Sequence, residues 1–206
     1  MLAVKFHFSQ RFSSLAMSSS PFPEDNEQYD TEIVTLTDEA ERSLECYVDH
    51  SLIIEESTYI LLQPIDSPIS IIAWDKGEDA SEATLLENEA EIGEIFPDAK
   101  AVLAEQNLTL KHTAYTLTVA GELPPVDEGE ILALEVEESG SDLEPEEFQF
   151  LASFFYQEEE YTIYTPLVPL LFFARETQTD QLELLSAEEY KKVQPLLEDL
   201  LFNEVE

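Results

Sequence analysis

Tyr59–Trp74 reads YILLQPIDSPISIIAW, and Tyr161–Arg175 reads YTIYTPLVPLLFFAR. Both stretches run in the order Tyr, Pro, Pro, Ala, with one residue fewer between the prolines of the second. Their apolar residues are consecutive rather than alternating, which is the pattern of strands covered on both faces. Proline has no N–H to give to a ladder, so Pro64 and Pro68 belong to a connection, with Ile65, Asp66 and Ser67 between them. Each stretch is therefore read as a hairpin of two apolar strands.

Outward from the first stretch, Glu32–Thr37 (EIVTLT) predicts an opening strand, Asp38–Arg42 a turn and Leu44–Val48 a second strand. Ile53 and Ile54 precede an acidic turn, Glu55–Thr58, and Lys76–Ala83 reads as a polar loop. In Glu87–Glu105 the apolar Ile92, Ile95, Phe96, Ala99, Val102 and Leu103 recur at spacings of three, four and seven, one side of a helix. Pro97 falls inside it, which predicts a kink or two short helices. Leu108–Ala120 alternates like one half-buried strand, and Gly121–Gly129 (GELPPVDEG) reads as a linker.

The second half follows the same order. Glu130–Val136 and Phe148–Tyr156 predict strands, and the second apolar stretch follows them. Ser186 with Glu189 three residues on is a capping box opening a last helix, whose apolar side is Tyr190, Val193, Leu196, Leu197, Leu200 and Leu201 and which Pro195 interrupts. Ile33 and Ile131, Ile92 and Tyr190, and Pro97 and Pro195 all stand 98 residues apart, whereas Tyr59 and Tyr161 stand 102 apart. Loops absorb such differences in a duplicated chain. The expected fold class is α+β, two tandem repeats, each a small antiparallel sheet of strand, strand and hairpin packed with a C-terminal, Pro-interrupted helix. The expected boundaries are a disordered segment over 1–30, a first repeat with an extra strand over 31–120, a linker over 121–129 and a second repeat over 130–206.

Charge constrains function more than motifs do. Forty-six acids against nine bases give a formal charge of -37 over 206 residues, while 44% of residues are hydrophobic, enough for a core. Binding to nucleic acid needs clustered Lys and Arg and is not expected, and the same holds for anionic membrane. The longest uncharged apolar run, Leu167–Ala174, is far short of the roughly 20 residues that cross a bilayer. The first twenty residues hold Lys5 and Arg11 and no acid, so two readings stand for MLAVKFHFSQRFSSLA: a targeting peptide, or an upstream translation artefact ahead of a start at Met17, the second preferred.

Chemical motifs are sparse. Cys46 is the single cysteine, so no cysteine-based zinc site or disulfide framework is expected, and its place on an alternating strand marks a small buried side chain. His7, His50 and His112 stand in no HExxH or GxSxG frame and read as surface or core-edge histidines. Asp75, Gly77, Glu78 and Asp79 resemble a calcium loop in composition only. No catalytic, cofactor-binding or metal-ligating residue is singled out, and no cofactor is expected. The aromatic side chains Tyr59, Trp74, Tyr161, Phe172 and Phe173 are the candidate interface residues, with a place in the core as the alternative.

The run from Ile33 to Leu108, with VTLTDE, LECYVDHSL, YILLQPIDSPISIIAW and IFPDAKAVLAEQNLTL, resembles the small acidic bacterial proteins of domain of unknown function 1292. The continuation, with AYTLTVAGELP and YTIYTPLVPLLFFAR, resembles domain of unknown function 3727 of cyanobacteria and plastids. The resemblance brings no reaction and no catalytic motif; it implies a cytoplasmic or plastid-stromal setting. The function expected is a non-enzymatic protein-interaction module, a regulatory or assembly adaptor for a basic protein partner. A carboxylate- or divalent-metal-dependent enzyme with its site between the repeats and an acidic mimic of nucleic acid are the alternatives.

Overall fold

In a computed structural model, residues 32–54, 57–76, 81–134, 146–177, 182–186 and 188–194 are described. Twelve strands form among them: β1 (Ile33–Thr37), β2 (Ser43–Ile54), β3 (Ser57–Pro64), β4 (Ser67–Lys76), β5 (Ser81–Leu85), β6 (Thr109–His112), β7 (Leu117–Ala120), β8 (Ile131–Leu134), β9 (Glu146–Tyr156), β10 (Glu159–Pro166), β11 (Phe172–Glu176) and β12 (Leu182–Leu184). The helix α1 (Glu89–Ala104) follows β5, and residues 188–194 form a helical segment, α2. Every strand pair is antiparallel. The α+β class is as the sequence indicates.

The two apolar stretches are not hairpins. β3 lies in a five-stranded sheet of order β1-β2-β3-β11-β12, whereas β4 lies in a seven-stranded sheet of order β6-β7-β4-β10-β9-β8 with β5 also on β4. Ile65 and Asp66 alone join β3 to β4, and Pro64 and Pro68 flank that corner as strand residues. Each stretch pairs instead with the other. Leu62 stands opposite Phe172 in one sheet and Ile71 opposite Ile163 in the other, nine residues forward on one chain and nine back on its partner, so the register carries through the bend. Across the bend Thr165 Oγ1 donates to the Pro68 carbonyl at 2.8 Å.

The expectation of a separate sheet for each half is thereby corrected. The five-stranded sheet takes β1, β2 and β3 from before the 121–129 segment and β11 and β12 from after it; in the other sheet β8, β9 and β10 are followed by β4 and β5. Local bonds match across the two halves. Ile65 N–H donates to the Glu45 carbonyl at 3.0 Å and Leu167 N–H to Glu147 at 2.9 Å, while Leu86 N–H donates to Ile71 and Leu185 N–H to Phe173, both at 2.9 Å. A strand apolar on both faces cannot leave either one wet, and exchange lets each sheet cover the strands of both halves.

Three local expectations also change. α1 is a single helix with Pro97 inside it, so of the two expectations the pair of short helices gives way. The N–H that Pro97 lacks would have met the Gly93 carbonyl, and both residues lie on the exposed side, where that carbonyl is open to solvent. Leu108–Ala120 is two strands, since residues 113–116 turn the chain, with Tyr115 at φ 67 and Thr113 Oγ1 donating to the Thr116 carbonyl at 2.7 Å. The stretch expected as a polar loop contains the start of β5, which pairs with β4. Pro195, the calcium-like Gly77, Glu78 and Asp79, and residues 1–31 lie outside the described residues.

Four apolar clusters result. α1 sets Ile92, Ile95, Ala99 and Leu103 on one face of the seven-stranded sheet, against Ile71, Val119, Leu151 and Ile163 among others. The opposite face carries Ile72, Phe148 and Tyr164. α2 places Tyr190 and Val193 on Leu52, Leu61 and Phe173 of the five-stranded sheet. On that sheet's other face Leu36, Leu44, Cys46, Leu62 and Ala174 pack with Ala114 and Tyr115 from the β6–β7 turn.

Ile163 is fully buried in the shared ribbon, so Ile163→Ala is expected to lower the unfolding free energy by about 2–5 kcal/mol in urea melts. Two glycines give opposite expectations in the same assay. Gly121 has φ +129 and an added Cβ would lie 2.8 Å from the Asn107 carbonyl oxygen, so Gly121→Ala destabilises; Gly93 has open space on a helix, and Gly93→Ala stabilises by about 0.5–1 kcal/mol.

Candidate functional site

The turn that follows β1 is built by its own side chains. Asp38 Oδ1 accepts from the main-chain N–H of Ala40 at 3.0 Å and of Arg42 at 2.9 Å, and Glu41 takes the left-handed conformation (φ 60) that closes the turn. This points Arg42 at α1 and β6. Its Nε donates to Asp38 Oδ2 at 2.7 Å, and its Nη1 donates to Glu89 Oε2 at 2.9 Å and to His112 Nε2 at 2.5 Å. Glu89 is placed by the helix start, where Asn88 Oδ1 accepts from the N–H groups of Ala90 and Glu91. Acids in a first helical turn also meet the positive end of the helix dipole.

Around this group opens a polar cleft of about 370 Å³, lined by Glu41, Arg42, Ser43, Glu45, Asp66, Lys111, His112 and Thr113. Lys111 Nζ donates to Asp66 Oδ2 at 2.6 Å, tying β6 to the β3–β4 corner. His112 Nε2 faces both the Arg42 guanidinium and, at 3.4 Å, Glu89 Oε2. The ring also stacks on Phe96, with centroids 5.9 Å apart and planes 28° apart. Burial alone would raise the Asp38 carboxyl, but the bonds from Arg42 and Ala40 outweigh it and hold the group below the usual carboxylate range.

Among the described residues, no hydrogen bond joins Ser43 or Thr113 to His112, and no three of His, Cys, Asp and Glu converge as a metal site. Of these residues the sequence had drawn attention to His112, as a surface or core-edge histidine. Arg42, Asp66, Glu89 and Lys111 were not singled out, and their one signal is scarcity: two of nine bases stand at one cleft in a chain with 46 acids.

The five aromatic candidates do not form one patch. Phe173 and Tyr161 are buried, Phe173 beside Tyr190 (5.0 Å) and Tyr161 stacked on Phe154 (5.4 Å). Tyr59 packs with Phe173, Phe172 with the cluster around Cys46, and Trp74 with Ile72 while its Nε1 donates to Thr162 Oγ1 at 2.7 Å. All five thus pack into four separate clusters. Burial pushes the Tyr161 hydroxyl up to about 12, helped by its bond to Glu159, and pushes the Cys46 thiol up to about 12.

Residues 107–204 match the family model described as protein of unknown function DUF3727. The match begins just after α1 and takes in the β6–β7 turn, so its edge does not fall at the 121–129 segment. No curated protein and no solved structure matches the chain. Among the described residues no helix is long and apolar enough to cross a membrane.

Two expectations follow. The Cys46 thiol, buried and held protonated, should resist a disulfide reagent at pH 8 in the folded protein and react at once in denaturant. Asp38→Asn should cost about 1–3 kcal/mol at pH 7. Because the folded carboxyl titrates below the unfolded one, its stabilisation is full above the unfolded pKa and is lost as pH falls through the folded one. The gap between wild type and variant in denaturant melts should therefore close below about pH 4.

Proposed function

We propose that this protein is a non-enzymatic interaction module that docks a basic protein partner in an aqueous, reducing compartment, cytoplasm or plastid stroma. One observation carries the reading: Arg42, Lys111 and Arg175 are spent on internal ion pairs, and the acids face outward. Arg42 is held by Asp38 and Glu89, Lys111 by Asp66, and Arg175 lies 3.2 Å from Glu189 and 3.7 Å from Glu183. The polar residues buried among those described are Thr118, Gln149, Thr162 and Thr165, none of them acidic. The surplus of carboxylates therefore projects a negative field that attracts and orients a cationic surface.

We also read the chain as two intertwined repeats. The reading is supported by the order β1-β2-β3 then β11-β12 in one sheet against β8-β9-β10 then β4-β5 in the other. The matched bonds from Ile65 and Leu167 support it, as do those that open the helices, Ile92 N–H to Asn88 and Tyr190 N–H to Ser186, both at 2.9 Å. On this reading β6 and β7 are an addition to the first repeat, and their turn fills the space over Cys46 and Leu62.

Calorimetric titration with a lysine-rich polypeptide tests the partner class. Binding should be present at 50 mM salt and at least about tenfold weaker at 300 mM, since the Debye length falls with salt. No heat at low salt, or an affinity indifferent to salt, would count decisively against the proposal.

A further inference from the structure

β1 is an edge strand of the five-stranded sheet, and its free side can be read from its bonds to β2. Val48 N–H donates to the Glu32 carbonyl at 2.9 Å and Asp38 N–H to the Arg42 carbonyl at 3.1 Å. With Val34 opposite Cys46 and Leu36 opposite Leu44, it is the main-chain groups of Val34 and Leu36 that face β2. Those of Ile33, Thr35 and Thr37 point away from the sheet. Tyr115 donates to the Thr37 carbonyl at 2.8 Å, but among the described residues the N–H and carbonyl groups of Ile33 and Thr35 meet no partner.

Edges of this kind are normally blunted by a proline, a bulge, an inward charge or brevity. β1 has none of these: it is five residues of IVTLT in unbroken register. β12, at the far edge of the same sheet, is three residues long. Beside β1 the directly paired Ile33 and Tyr47 are 54% and 37% exposed, leaving apolar side chains at the open edge. Glu32, Glu45 and Asp49 stand within two residues of the pair along β1 and β2 and are exposed, while Arg42, at the turn end of the same strands, is held by Asp38.

We infer that β1 receives an extended, basic segment of the partner by strand addition, its main chain bonding Ile33 and Thr35 and its lysines or arginines facing the rim of acids. The inference rests on the basic-partner reading and adds where and in what conformation the partner binds. Charge complementarity selects this occupant over a second copy, because edge pairing of two chains of -37 would set the same acids against each other.

Fluorescence anisotropy with a labelled eight-residue peptide alternating lysine and valine tests it, beside the same peptide N-methylated at its central amides, which keeps charge and side chains but cannot donate. The N-methylated peptide should bind at least about tenfold more weakly, the loss expected for two main-chain bonds. The unmodified peptide should slow hydrogen exchange at the Ile33 and Thr35 amides. Thr35→Pro removes an outward N–H without touching the β1–β2 ladder and should weaken binding by a similar factor; the peptide comparison stands even where that variant folds poorly. Equal binding of both peptides, weakened alike by salt, overturns strand addition and leaves the basic-partner reading intact, whereas failure of both to bind overturns the two together. Sedimentation showing a dimer that Thr35→Pro dissolves would overturn the inference in favour of a second copy.

Discussion

The antiparallel pairing of Tyr59–Trp74 with Glu160–Arg175 is the constraint on which the other elements depend. It is one ribbon that bends: β3 with β11 belongs to one sheet, β4 with β10 to the other, and a single register serves both. Strands as apolar as these must be covered on both faces and paired on both edges, and the bend lets each half supply what the other lacks. β2 then lies on β3, and β9 on β10, so the three-strand portion of each sheet grows outward from the ribbon. The helices follow as covers, α1 over Ile71 and Ile163 and α2 over Leu61 and Phe173.

The acidic charge and this architecture bear on each other. Self-repulsion among 46 acids opposes compaction and must be offset by apolar burial. Interleaving helps, because each sheet covers apolar strands of both halves; Leu62, Ile71 and Ile163, nearly fully buried, belong to the ribbon that unites the two. The few bases act as cross-links between elements. Arg42 joins the β1–β2 turn to α1 and β6, Lys111 joins β6 to the β3–β4 corner, and Arg175 joins β11 to β12 and α2. Each pair is partly exposed and modest alone, but each fixes the relative position of segments distant in sequence.

Much of the local structure was legible. β1, the Asp38–Arg42 turn, α1 and the Ser186–Glu189 capping box answer to patterns within a few residues, where periodicity and side-chain-to-main-chain bonding act. Leu108–Ala120 misled because its turn contains no Gly, Pro or Asn; Tyr115 adopts a left-handed conformation while its hydroxyl bonds Thr37, a tertiary contact with no local signature. Pro97 suggested two short helices where one forms, since whether a proline ends a helix depends on which side of the helix faces water. The cleft was not legible: Arg42, Glu89 and His112 come from three segments joined only by folding.

What the amino-acid order determined alone is the inventory: α+β elements, two stretches too apolar to be exposed on either face, a buried cysteine and a surface of carboxylates. These follow from side-chain period and transfer free energy, which are properties of short windows. The tertiary structure decided the partners. A two-residue link between apolar strands suits either a hairpin or a corner, and the local sequence has no term that separates them. The choice fell to which arrangement covers both faces of β3, β4, β10 and β11 at once, a condition met only when the two distant stretches lie side by side.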